Sequence, residues 1–395
     1  MLFLRPLPLL FCVMLLCSLC LRTARAQAPI ALGVYFYDRG LCAPGDETAV
    51  QAWRAKTGRL PAVWAIYQSC TGWNQFPIGQ AQRARALGTV LMVTWEPWKG
   101  QADDPNWSCT AVTSGAYDSY IRSYARAVKS CGAPVVIRLA QEMNGDWYPW
   151  STGYNAPWAR TNGNAPADYV AMWRHVVQLF REEGATNAKW AWSPNVMLLN
   201  GFNSTQRQTA DLRALYPGDE WVDWIGVSVY NDGARRPWSS FSQLFDGAYR
   251  VLTSMSQKPM MVAELGVTEE GAPGGTSKAQ WIESALLYEI PRFYPNVRLV
   301  NYFFRDKSGE GESNYRFDSS PAALYAFQRV ASSPLYGGAG AAPLMPARNQ
   351  FPVRIIAPAQ VRPPDDGADF EAPGNSGYFR NGSIVVAAPR LRAGR

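Results

Sequence analysis

Eight short apolar runs, spaced along residues 32–304 with helix-period segments between them, constrain this chain more than any other feature. The runs are 32–37, 62–67, 90–94, 135–140, 189–192, 222–229, 260–265 and 297–304. Each is short and rich in Val, Ile, Leu or aromatic residues, as buried parallel strands are. Helices are expected over 47–57, 76–88, 113–130, 167–184, 205–215, 239–255, 277–289 and 320–329. In 167–184, Met172, Trp173, Val176, Val177 and Phe180 recur at helical spacing, with Arg174, Arg181 and Glu182 between them. Eight strands alternating with about eight helices over roughly 300 residues predict an α/β fold, a (β/α)8 TIM barrel. An open doubly wound sheet is the alternative. It would place a glycine-rich phosphate loop after the first strand, and YDRGLCAPGDE has no such fingerprint.

The flanks differ from this core. Arg5 precedes an apolar run, Leu9 to Leu21, and Ala24-Arg25-Ala26 fits a small-x-small cleavage site. Residues 1–26 therefore read as a signal peptide and 27–330 as the barrel domain, giving a secreted or periplasmic protein with no membrane span in the mature chain. Residues 331–395 are rich in Pro, Gly and Ala and read as a tail, largely disordered or docked on the barrel. Four cysteines remain after the leader: Cys42, Cys70, Cys109 and Cys131. An even number in an exported chain predicts two disulfides, with three pairings open. Their spacing does not suit a zinc knuckle, and the single histidine, His175, falls within a helical pattern. No metal or cofactor is expected.

The formal charge is +7, of which three arginines lie in the leader. Residues 27–330 carry 28 basic and 27 acidic side chains, so no nucleic-acid partner is expected. A monomer acting on a polysaccharide or oligosaccharide fits this balance.

In a barrel the chemistry collects at the carboxyl ends of the strands. Three of those ends carry acids: Glu96 in TWEPW, Glu142 after Gln141, and Glu264 in MMVAELG. A carboxylate ending an apolar strand is costly unless it is solvated, paired or used. An ordinary salt bridge, to Arg138 for instance, is the bland alternative. Strands four and seven face each other across the ring, so Glu142 and Glu264 can line one cleft. Their separation would decide between retention and inversion at a glycosidic carbon. Tyr230, at the end of strand six, can hydrogen-bond a carboxylate. Trp95, Trp147, Tyr148, Trp150, Trp192, Asn195, Phe304 and Arg305 supply rings, an amide and a cation for a sugar, and Tyr35, Tyr37 and Asp38 end strand one.

The run Gln141-Glu142-Met143-Asn144-Gly145-Asp146-Trp147-Tyr148-Pro149-Trp150 resembles the strand-four motif of glycoside hydrolase family 26, the β-mannanase family of retaining barrels. Trp192-Ser193-Pro194-Asn195, Tyr216-Pro217-Gly218-Asp219 and Val222-Asp223-Trp224-Ile225-Gly226 are similar to further family segments. The resemblance covers about 30 to 330. It implies Glu142 as acid/base, Glu264 as nucleophile, Tyr230 orienting that nucleophile, and Trp147 and Trp150 beside the sugar. The implied activity is that of a retaining endo-β-glycanase cutting internal β-1,4 bonds of a mannan-type polysaccharide, a β-glucan or a bacterial exopolysaccharide. A non-catalytic polysaccharide-binding barrel is the alternative. Gln141 stands where the family has histidine, which bears on substrate choice.

Overall fold

A computed structural model describes residues 28–37, 47–70, 75–152, 161–196 and 212–340, together with two short strands at 378–380 and 383–385. The expected leader, Asp38, Cys42 and most of the expected helix 205–215 lie outside the described residues; 212–215 is helical.

The strands are β1 (Ile30–Phe36), β2 (Val63–Ser69), β3 (Val90–Glu96), β4 (Val135–Leu139), β5 (Ala188–Trp192), β6 (Trp224–Asn231), β7 (Met260–Val267) and β8 (Val297–Phe304). All pair in parallel in chain order, and β1 pairs with both β8 and β2, so the sheet closes into a barrel. The helices are α1 (Glu47–Thr57), α2 (Ile78–Ala86), α3 (Cys109–Thr113), α4 (Asp118–Cys131), α5 (Pro166–Glu182), α6 (Phe241–Met255), α7 (Lys278–Glu283), α8 (Ile290–Phe293) and α9 (Pro321–Ser332). A π-helical turn, Ser284–Glu289, joins α7 to α8. Local chemistry fixes several starts. Ser240 caps α6 through the Gln243 amide, and the Gln243 side chain caps back. Ser320 caps α9, with Pro321 at its first position.

Two cores follow from strand alternation. Leu32, Val34, Leu91, Val93, Val135, Ile137, Val227, Val229 and Val262 pack outward against the helices. Ala31, Tyr35, Ala65, Met92, Val136, Ala191, Met261, Leu299 and Phe303 fill the barrel. His175 on α5 meets Asp118 of α4 at 2.7 Å, a bond between helix faces.

Two expectations change. The disulfides are corrected: Cys70, Cys109 and Cys131 are free thiols. Cys109 opens α3 and Cys131 closes α4, and each sulfur is engaged by a carbonyl oxygen, of Trp150 at 3.6 Å and of Val128 at 3.0 Å. The tail begins later than its composition suggests. Residues 336–337 form β9, a strand on β1, and the Ala339 and Gly340 amides donate to Leu60 and Gly88. The strands Tyr378–Arg380 and Ser383–Val385 pair as an antiparallel hairpin.

Candidate active site

The ends of β3, β4, β6 and β7 bring three carboxyl groups into one cleft. Glu264 is held most firmly. A register shift between β6 and β7 leaves Ala263 unpaired and aims Glu264 inward, beside Ser228. Arg138, fully buried on β4, pairs with Glu264 Oε1, and the Tyr230 hydroxyl donates to Oε2. Tyr67 of β2 adds another hydrogen bond. Gly266 makes room for this. A Cβ there would lie 2.6 Å from the Tyr230 ring. Burial pushes the Glu264 carboxyl up, but Arg138, Tyr230 and Tyr67 together hold it below the usual range.

Glu142 is biased the other way. Burial and then the negative charge of Glu264 raise its carboxyl, against weaker opposition from Arg138, Ser228 and Trp147. The Trp147 indole donates to Oε2 at 3.0 Å. It can do so because residue 145 is glycine; a Cβ there would lie 2.6 Å from that indole. Ser228 links the two acids. It hydrogen-bonds Glu142 and accepts from Arg138 at 2.8 Å, while Arg138 pairs with Glu264.

Glu96 forms a third group. Gln141 donates to its Oε1 at 2.6 Å and Trp98 to its Oε2 at 3.3 Å. Burial pushes its carboxyl up to about 7 despite those two donors. Gln141 also donates to the Tyr148 hydroxyl at 3.2 Å. The Asn144 side-chain amide brackets the Asn195 backbone, donating to its carbonyl at 2.9 Å and accepting from its N–H at 2.8 Å, which ties the end of β4 to that of β5.

The structure thus groups Glu142, Glu264, Tyr230, Gln141, Glu96, Trp147 and Tyr148. Four aromatic expectations are corrected. Trp95 stacks on Tyr124 of α4 at 4.2 Å, on the outer face of β3. Trp192 packs on Tyr216, and Phe304 stacks on Phe36, both in the outer core. Trp150 is fully buried beneath Tyr148, with ring centroids 4.3 Å apart. At the end of β8 it is Phe303 that faces inward, stacked on Tyr35 at 5.0 Å. Arg305 lies over the Tyr37 ring and pairs with Glu310 at 2.7 Å. Arg138, Ser228, Tyr67 and Trp98 were not singled out as functional by sequence reasoning. Arg138 carried the clearest signal, a charge within an apolar strand. No group of His, Cys, Asp or Glu among the described residues could hold a metal ion. The arrangement sets one carboxyl toward the anion and another toward the acid, a division that proton-assisted displacement requires.

Such a barrel, with paired acids at its carboxyl end, is the architecture of a large class of glycoside hydrolases. Residues 104–282 match the profile of glycosyl hydrolase family 26. Endoglucanase H of Acetivibrio thermocellus is 36% identical over 247 residues, 62% of this chain and 24% of that protein. Mannan endo-1,4-beta-mannosidase A and B of Caldalkalibacillus mannanilyticus is 29% identical over 163 residues, 41% of this chain and 27% of that protein. The chain therefore spans about a quarter of the length of these two relatives. The fold matches a modular endo-beta-1,4-mannanase from Cellulomonas fimi with a TM-score of 0.58 at 20% identity, over 79% of this chain and 72% of that one. A GH26 β-mannanase from Bacteroides ovatus matches with a TM-score of 0.54 at 18% identity, over 84% and 96%. The likeness to glycosyl hydrolase family 26 rests on the profile match over 104–282 and on relatives of which the chain spans about a quarter.

Proposed function

We propose that this chain is a secreted or periplasmic retaining endo-β-glycanase that cleaves internal β-1,4 bonds of a mannan-type polysaccharide or a related β-glucan. The observation that carries this reading is the opposed protonation bias of Glu142 and Glu264, linked through Ser228 and Arg138. No helix among the described residues is long and apolar enough to cross a membrane.

In the first step the Glu142 carboxyl gives its proton to the glycosidic oxygen. A Glu264 oxygen attacks the anomeric carbon as the bond to the leaving sugar breaks. Arg138, Tyr230 and Tyr67 fix the Glu264 anion against rotation. This suits a group that attacks directly better than one that only orients a water. In the second step Glu142, now a carboxylate, takes a proton from water, and the resulting hydroxide oxygen displaces Glu264. Tyr148, Trp147 and Phe303 offer ring surface beside the acids, and Glu96 and Gln141 offer polar contacts to sugar hydroxyls. The relatives point to two substrates, since one is named an endoglucanase and another a mannan endo-1,4-beta-mannosidase.

The test is hydrolysis of mannan, glucomannan, mixed-linkage glucan, xylans, cellulose and acidic exopolysaccharides, with products sized. Glu264→Ala should lower turnover on the preferred glycan by about 1,000-fold or more; because it strips the buried Arg138 of its counter-charge, the isosteric Glu264→Gln is measured beside it and both are checked for folding by thermal scan. Near-normal activity in either variant would falsify the assignment. Binding with no product after long incubation would favour the non-catalytic barrel instead.

A further inference from the structure

The end of β4 breaks the geometry of a strand. Ala140 and Glu142 both have left-handed backbone, with φ of 43° and 56°. That region crowds Cβ against the carbonyl of any residue but glycine. In extended chain, Gln141 and Glu142 would face opposite sides of the sheet. Here Gln141 reaches Glu96 while Glu142 reaches Trp147, both within the cleft. The left-handed residues are what turn two consecutive side chains to the same side.

Such backbone persists only where its surroundings over-determine it. The Ala140 amide donates to the Trp95 carbonyl at 3.1 Å, and the Glu142 amide to that of Ser193 at 2.7 Å. Two side chains grip the carbonyls between. The Tyr169 hydroxyl of α5 donates to the Ala140 oxygen at 3.2 Å. The Trp150 indole donates to the Gln141 oxygen at 2.8 Å. Both side chains are fully buried, so neither meets a sugar in this geometry.

We propose that Tyr169 and Trp150 are positioning residues, whose O–H and N–H hold the left-handed end of β4 and so aim the Glu142 carboxyl at the glycosidic oxygen. The inference rests on Glu142 being the acid, and its test separates the two claims.

Tyr169→Phe removes one oxygen and keeps the ring. Its kcat on the preferred polysaccharide should fall ~10-fold with KM unchanged, as a slight misplacement of the acid in the transition state costs. Aryl glycosides of the same sugar supply the decisive contrast. A dinitrophenolate leaves without a proton, so formation of the glycosyl-enzyme from that substrate should stay near wild type. Poorer leaving groups should be cleaved progressively more slowly. Adding Ala140→Gly should restore most of the lost kcat, because glycine adopts positive φ without the brace. Unchanged kcat, or an equal loss on every leaving group, overturns the inference. Glu142→Ala is measured alongside. Full polysaccharide activity there sinks the acid assignment. An acid-dependent Glu142→Ala with a wild-type Tyr169→Phe sinks the positioning claim alone. Should Tyr169→Phe fail to fold, Trp150→Phe is read by the same leaving-group contrast.

Discussion

At the scale of single residues, the site works by biasing protonation, and two groups test this independently of the reaction's identity. Glu96 is pushed up to about 7 by burial, so the folded protein binds more protons than the unfolded chain between the ordinary glutamate value and 7. Its contribution is therefore least unfavourable in acid and costs stability as pH rises through that window. Removing it should relieve on the order of 2–3 kcal/mol at alkaline pH and little in acid. Glu96→Gln should thus raise Tm at pH 8 and leave it nearly unchanged at pH 5, and the reverse pattern in thermal scans would sink this account. Trp147 acts on Glu142. Its indole favours the ionised form, so Trp147→Phe should raise the Glu142 carboxyl further and move the alkaline limb of kcat/KM upward. A downward shift would mean that the ring acts chiefly on substrate. The carboxylates themselves were legible in the sequence, because an acid at the end of an apolar strand is conspicuous. Ser228 was not, since a serine within IGVSVY carries no spacing signal. The outward placement of Trp95 follows from strand alternation: Glu96 faces the cleft, so its neighbour on the strand faces away.

At the scale of elements, the register shift between β6 and β7 matters most. Without it, strict alternation would carry Ala263 inward and Glu264 toward the helices. No residue type in MMVAELG marks the shift, so the sequence shows that strand but not how it aims its acid. The resemblance in sequence implies Glu264 as the nucleophile without that geometry. Gly266 on the same strand is the companion device. Gly266→Ala would put a methyl carbon 2.6 Å from the Tyr230 ring, and Tyr230 must then leave Glu264. Losing that donor raises the Glu264 carboxyl. The acid limb of kcat/KM should move to higher pH and its plateau fall ~10-fold, roughly one hydrogen bond to a charged group. An unshifted acid limb with a lower plateau would show that Tyr230 does not set the charge of Glu264.

At the scale of the whole molecule, the periodicity of eight apolar runs was enough to foresee a barrel, because each strand is short and two-sided. Closure is a different matter, since it depends on β1 meeting β8 across more than 250 residues, and composition is silent about that. It was equally silent about where the fold ends. The Gly/Ala-rich stretch after Val330 reads as tail, yet its first residues finish the barrel. Ile30 donates to the Leu335 carbonyl, Arg59 donates to that of Tyr336 at 2.7 Å, and the buried Tyr336 hydroxyl reaches Leu286 on the π-helical turn. These bonds join the starts of β1 and β2 to the helix layer, opposite the cleft. A chain ending at Gly340 should therefore keep the activity and Tm of the longer protein, since every cleft residue named above lies before that point. A chain ending at Ser332 loses the buried Tyr336 ring and the bonds on the β1 edge. Burial of one large aromatic is worth roughly 2–3 kcal/mol, which for a domain of this size lowers Tm by about 3–5 °C. The cleft lies at the other end of the barrel, so kcat measured well below that Tm should be unchanged. A shorter chain that melts with the longer one would mean that the strand after α9 adds nothing to the fold. One that melts normally but loses kcat would mean that the two ends of the barrel are coupled.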